Sequence, residues 1–138
     1  MMLNLNECFE EQCKIFLKDL QFGQYNESAS VKGIKFCDEL ETVINGDHLI
    51  VVFTRSIKME PEEAFKLSVS FGLDLTFRYS YLKENKIDLN MIDFKNELIH
   101  NGQNILNLLI GRTVLLIAQI TAVSSNNPII APPIYITP

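Results

Sequence analysis

Few side chains in this 138-residue sequence are of a type that does chemistry. The histidines are His48 and His100, and the cysteines are Cys8, Cys13 and Cys37. His100 lies beside the start of a predicted helix, where an imidazole could serve as a general base. Its ordinary reading is a polar residue near a helix cap. Cys37 falls inside a predicted strand, where a thiol more often packs than attacks. Asp19 interrupts an apolar strand and is either a functional carboxylate or a side chain turned to solvent. Glu60, Glu62 and Glu63 crowd one turn, as a solvated acidic loop or a docking patch. There is no G-x-S-x-G elbow, no Walker A loop and no G-x-G-x-x-G after a strand. A zinc site takes about four Cys or His ligands at suitable spacing, which this sequence does not offer. The expectation is a non-enzyme with no metal and no cofactor.

The odd cysteine count, without framework spacing, points to reduced thiols. Residues 1–13 mix glutamate with short apolar pairs and lack the basic-then-apolar pattern of a signal peptide. A cytoplasmic protein is expected. The net charge of −5, with lysine and arginine scattered, argues against nucleic acid as a partner. Apolar content of 47% and charged content of 21% are those of a globular chain, and the length suits one domain spanning 1–138.

The elements that must position these residues follow from periodicity. In FKLSVSFGLDLTFRY, residues 65–79, every second residue from Phe65 to Tyr79 is apolar. This alternation predicts a strand with one buried and one solvated face, and Gly72 marks a bend or bulge. Residues 14–22 predict an earlier strand with Phe16, Leu20 and Phe22 on one side. Residues 35–44 predict another with Phe36, Leu40 and Ile44 on a common face. Asn45-Gly46-Asp47 turns the chain into a returning strand over 48–58. Four strands with short connections predict an antiparallel meander.

From Asp88 the period changes. A short helix is expected, capped by Asp88 or Asn90, then one long helix over 101–125. That helix is apolar nearly all round. Its length would permit a membrane span. Arg112 near the bilayer centre would cost ~2.5–3.5 kcal/mol, which disfavours insertion. All-round apolarity instead predicts cover on both sides, by the sheet and by a second subunit. Gly111 would allow close approach. The last residues, NNPIIAPPIYITP, carry no charge, four isoleucines and four prolines, so something must tie them down.

Residues 104–136 resemble the corresponding stretch of the SecB protein-export chaperone family. The carrying residues are Asn104, Ile105 and Leu106, Arg112 in the helix, Thr121 at its exit, then Pro128 and Pro132 or Pro133. LKDLQF at 17–22 and EAFKLSVSFGLDL at 63–75 also resemble that family's strands. The resemblance implies an α+β fold, a four-stranded antiparallel sheet packed against a long C-terminal helix. It implies subunits that form dimers or tetramers, with Leu108, Gly111, Arg112 and Leu115 at the interface. It further implies an ATP-independent holdase that binds non-native polypeptides in apolar grooves, for protein export with the SecA motor or in guarding an antitoxin. Ile129, Ile130, Ile134 and Tyr135 would form one groove wall, and Phe77, Tyr79 and Tyr81 the other. Asp19, with the loop acids Glu60, Glu62 and Glu63, would dock a partner. The sequence stops at Pro138, where the family continues into a second helix, so a short variant is expected. Two other readings stay open. One is the same scaffold serving a dedicated partner. The other is a hotdog-like thioesterase, in which the long helix would come early instead of last.

Overall fold

The computed structural model describes residues 3–23, 33–60, 66–125 and 129–136, with the side chains of 59–60 and 124–125 outside the description. A short helix α1 (Leu5–Cys8) leads into strand β1 (Phe9–Gly23). Strands β2 (Gly33–Asn45), β3 (His48–Glu60) and β4 (Lys66–Phe77) follow, then helices α2 (Tyr79–Glu84), α3 (Phe94–Asn101) and α4 (Gln103–Ser125). The chain is α+β, and the four strands form one wholly antiparallel sheet.

The sheet order is β1-β4-β3-β2. Meander order therefore holds for β2, β3 and β4, whereas β1 pairs with β4 and not with β2. The β2–β3 hairpin closes at Asn45 and His48 around Gly46, whose φ of 58° is easy only for glycine.

β1 departs from simple alternation. Its register on β4 slips between Leu17 and Asp19. Such a bulge moves the residues beyond it to the opposite face. Leu20 and Phe22 then share the helix-side face with Ile15 and Leu17, while Phe16 lies on the other side, opposite Gly72. The irregularity expected at Gly72 thus belongs to β1. Gly72 itself is needed for close approach: a Cβ there would clash with the outer end of the Phe16 ring. The cover that Phe16 supplies also corrects the expectation of a solvated second face on β4. Gly72 and Val52 are buried on that side, and Thr54 and Ser70 join their hydroxyls at 2.7 Å beside them.

β4 ends at Phe77, two residues short of the predicted end. The Phe77 and Arg78 amides are taken by the carbonyls of Asp47 and Cys8, and Arg78 then caps α2. The α3 helix begins later than expected, because Asp93 accepts from the Asn96 amide as its N-cap while Asp88 caps only a 3-10 turn, Leu89–Met91. Gly102 separates α3 from α4 where an added Cβ would run into the Leu98 backbone and side chain, which leaves no room for another residue.

The core lies between one sheet face and the helices. Leu49, Val51, Phe53, Leu73, Leu75 and Phe77 meet Leu98, Leu106, Leu109 and Ile110. A second cluster joins Ile57, Leu67 and Val69 to Ile117 and Ala131. Residues Gln103–Val123 make the one helix among the described residues long and apolar enough to cross a membrane. In this structure its Leu106, Leu109, Ile110, Thr113, Ile117 and Thr121 are buried within the chain.

Candidate functional site

The most unusual group in the molecule is a buried ion pair. On β2 the helix-side positions are Phe36, Asp38 and Leu40, and on β3 they are Phe53, Arg55 and Ile57. The hairpin register sets Asp38 directly opposite Arg55. Both side chains have no exposed surface. The guanidinium Nε donates to Asp38 Oδ1 at 2.7 Å and Nη2 donates to Oδ2 at 2.8 Å, a two-pronged fork. The Phe36 and Phe53 rings lie 5.9 and 5.5 Å from the guanidinium carbon and hold it further.

The further hydrogen bonds of this pair go to main chain. Arg55 Nη1 donates to the Pro132 carbonyl at 2.6 Å, and Nη2 donates to the Ile134 carbonyl at 2.7 Å. Asp38 Oδ2 accepts from the Ile136 amide at 2.8 Å. Residues 129–136 thereby form a strap across the sheet. Pro132 and Pro133 fix φ there and bring no amide donor that would need a partner, and the chain bends at Pro133–Ile134. At its start the strap is hooked to α4: the Ile129 amide donates to Thr121 Oγ1 at 2.7 Å, while that hydroxyl donates to the Ile117 carbonyl. Ala131 is buried, and Tyr135 packs on Phe53 with ring centroids 6.2 Å apart. Burial and the neighbouring Asp38 carboxylate raise the Tyr135 phenol above its ordinary range.

The predicted groove residues separate into distinct places. Ile130 and Ile134 stand on the strap, 74% and 64% exposed. Ile129 and Tyr135 are half-buried against the core. Phe77 is a correction: it is buried among Phe9 and Phe94 and presents no groove surface. Tyr79 and Tyr81 lie on α2 and not on a strand. The Tyr79 hydroxyl donates to Asp47 at 2.7 Å, which raises its phenol, and the Tyr81 hydroxyl accepts from the Asn4 amide. Tyr79 is thus tied to the β2–β3 turn, roughly 20 Å along β3 from the strap bonded to Arg55, and Tyr81 to the start of the chain, so the two expected walls do not face each other across one groove.

The helix side of β1 exposes apolar surface in which the expected Leu20 and Phe22 are joined by Leu17 instead of Phe16. Leu17, Leu20 and Phe22 are exposed there. Phe22 lines an apolar cleft of about 340 Å³ with Gln119, Ile120 and Val123 of α4. On the outward side of α4, Leu108 and Leu115 are exposed, Arg112 is exposed, and the space beside Gly111 is open. Asp19 is exposed and accepts from Gln21. The side chains of Glu60, Glu62 and Glu63 lie outside the described residues.

Chemistry-bearing residues assemble only loosely. His48 Nδ1 and Asp74 Oδ1 are 2.7 Å apart in an open, polar recess near Cys13 and Lys14. His100 is exposed and its ring nitrogen bonds the Asn96 carbonyl. Cys8 is buried, and its thiol is pushed up to about 11 by burial and then by Glu97, so it is held as the unreactive form. Among the described residues no group of three His, Cys, Asp or Glu could hold a metal ion.

No family model matches the sequence, and no curated protein does. Structural comparison gives a clear match, to the Mycobacterium tuberculosis Rv1957 SecB-like chaperone in complex with a ChAD peptide from the Rv1956 HigA1 antitoxin. The TM-score is 0.65 over 90% of this chain and 87% of that one, at 9% identity. The fold is SecB-like. The SecB-like sheet and long helix are those expected from the C-terminal third of the sequence, and the two chains correspond over nearly their whole lengths. Within this SecB-like frame, the strap follows directly from the exit of the long helix.

Proposed function

We propose that the chain is an ATP-independent chaperone that holds non-native polypeptide segments on exposed apolar surface. One observation carries the reading: a SecB-like fold leaves Leu17, Leu20 and Phe22 exposed together on one face of β1, and Ile130 and Ile134 exposed on the strap. Each client side chain buried there contributes ~1.5–3 kcal/mol, partly offset by ordering the client. Several copies of the surface on an oligomer would restore affinity through multivalency. The outward side of α4, with Leu108, Gly111, Arg112 and Leu115, is the surface offered to a second subunit. Tyr79, Tyr81, Ile129 and Tyr135 contribute to client contact at their exposed edges. Asp19 and the acidic loop residues Glu60, Glu62 and Glu63 are assigned to partner docking, and a cytoplasmic location suits the three free thiols.

The second reading is a module for one dedicated client. It is favoured by the neighbour's antitoxin peptide. A titration separates the two. The protein is titrated with a permanently unfolded model polypeptide and, in parallel, with peptides from proteins encoded beside it. Binding of the unfolded polypeptide without nucleotide supports the general holdase. Binding confined to one neighbouring peptide supports the dedicated module, and no binding of either overturns both.

A further inference from the structure

We propose that the Asp38–Arg55 pair is a main-chain-reading peptide site, which residues 132–136 fill in cis and which a client segment of the same bent main-chain shape fills in their place. The inference rests on the holdase reading and specifies how one client segment is taken up.

The contacts made by the pair ignore sequence. They are the Pro132 and Ile134 carbonyls and the Ile136 amide, all main chain. A segment that takes the strap's bend at Pro133–Ile134 offers the same pattern, carbonyls two residues apart with an amide two residues further on. The one side chain the strap inserts beside them is Tyr135 on Phe53, so the client segment would carry an aromatic or bulky apolar residue at that place. The site does not need the strap to exist. Two bonds from Asp38 and two flanking rings fix the guanidinium whether or not a segment lies over it.

The strap is also built so that only part of it can leave. Its first residues are fastened by the Ile129–Thr121 bond and by buried Ala131. Beyond them, Pro133 and Ile134 are exposed and Pro132, Tyr135 and Ile136 are half-buried, so the apolar contact given up on lifting 132–136 centres on Tyr135 against Phe53. Lifting also opens a fully buried charged pair to water, and its hydration offsets lost hydrogen bonds. An apolar pair in the same place often stabilises a protein as well or better, so stability alone does not account for a buried charged pair here.

The test follows individual amides in the full-length protein by hydrogen exchange, with and without a permanently unfolded polypeptide at saturation. Exchange at Ile136 is expected to rise about ten-fold or more with client, while Ile129 stays protected. A synthetic peptide of residues 129–136 should compete with the client. Arg55→Lys keeps the charge but loses the fork, so Ile136 should exchange faster even without client. The double variant Asp38→Leu/Arg55→Met should neither bind the synthetic peptide nor show a client-dependent change. Client binding with Ile136 still protected would overturn this inference and leave the holdase reading standing. Failure to bind client at all would overturn both.

Discussion

Asp38 and Arg55 face each other across β2 and β3 with no exposed surface, and their fork closes under the main chain of residues 132–136. This relationship answers what holds an uncharged tail rich in isoleucine and proline. Residues 129–136 are held through their backbone by the charged pair, beside buried Ala131 and the Tyr135 ring on Phe53. The isoleucines at 130 and 134 are left facing outward.

Removing one partner strands the other. Asp38→Ala or Arg55→Ala is expected to lower stability by ~3–5 kcal/mol, since each leaves an uncompensated buried charge. The double variant Asp38→Leu/Arg55→Met is expected to lose far less. Urea unfolding of the three variants measures this, and equal losses in all three would refute the pair's role.

Gly72 and Phe16 form a second dependent pair. Gly72→Ala should destabilise by ~1–3 kcal/mol, because the new methyl group enters space held by the Phe16 ring. Phe16→Ala should relieve that cost, so the double variant is more stable than the sum of its parts. A double-mutant cycle reads the coupling directly.

Alkaline pH should weaken the fold in a defined window. Cys8 is raised from 9.0 to about 11, and Tyr135 is raised from 10.0. Above pH 9 the unfolded chain gives up these protons before the folded chain does, so the folded state binds more protons and stability falls as pH rises. The contribution is fully present below pH 9, and that of Cys8 is lost as pH climbs toward about 11. Cys8→Ala should flatten the slope between those values, as measured by denaturant midpoints across pH.

Core and surface aromatic or aliphatic residues should separate cleanly. Phe77→Ala is expected to cost ~3–5 kcal/mol as a core truncation. Ile130→Ser and Ile134→Ser should leave stability within ~0.5 kcal/mol, as exposed substitutions do, while weakening client binding. Binding titration alongside thermal unfolding distinguishes the two kinds of effect.

Much of this architecture was legible in the sequence because period-two and helical patterns are local. The hairpin at Asn45-Gly46, the strand over 66–77 and the helix after Gly102 all follow from spacing of a few residues. The face of Phe16 was not legible, since one slipped residue at 17–19 reverses it and no local signal marks the slip. Phe77 was assigned to a groove because its alternation with Tyr79 continues past the true strand end. That end is set by Asp47 and Cys8, distant in sequence. The ion pair was within reach. Counting back from the Asn45–His48 closure puts Asp38 opposite Arg55, each flanked by apolar residues on an inward face. The strap's attachment to it was not, because hydrogen bonds to main-chain atoms leave no trace in side-chain identity.

The outward side of α4 makes a separate prediction about assembly. Leu108→Lys and Leu115→Lys should lower the mass of the native particle, because both side chains lie on the surface assigned to a second subunit. Sedimentation at several concentrations measures it. An unchanged mass in both variants would place the subunit interface elsewhere.

The most direct measurement of the central claim is aggregation of a chemically denatured model client, followed by light scattering without nucleotide. The account predicts that the protein suppresses scattering at stoichiometric excess. It predicts that Ile130→Ser/Ile134→Ser loses much of that effect while remaining folded. Scattering that is unchanged at a several-fold excess of folded wild-type protein would contradict it.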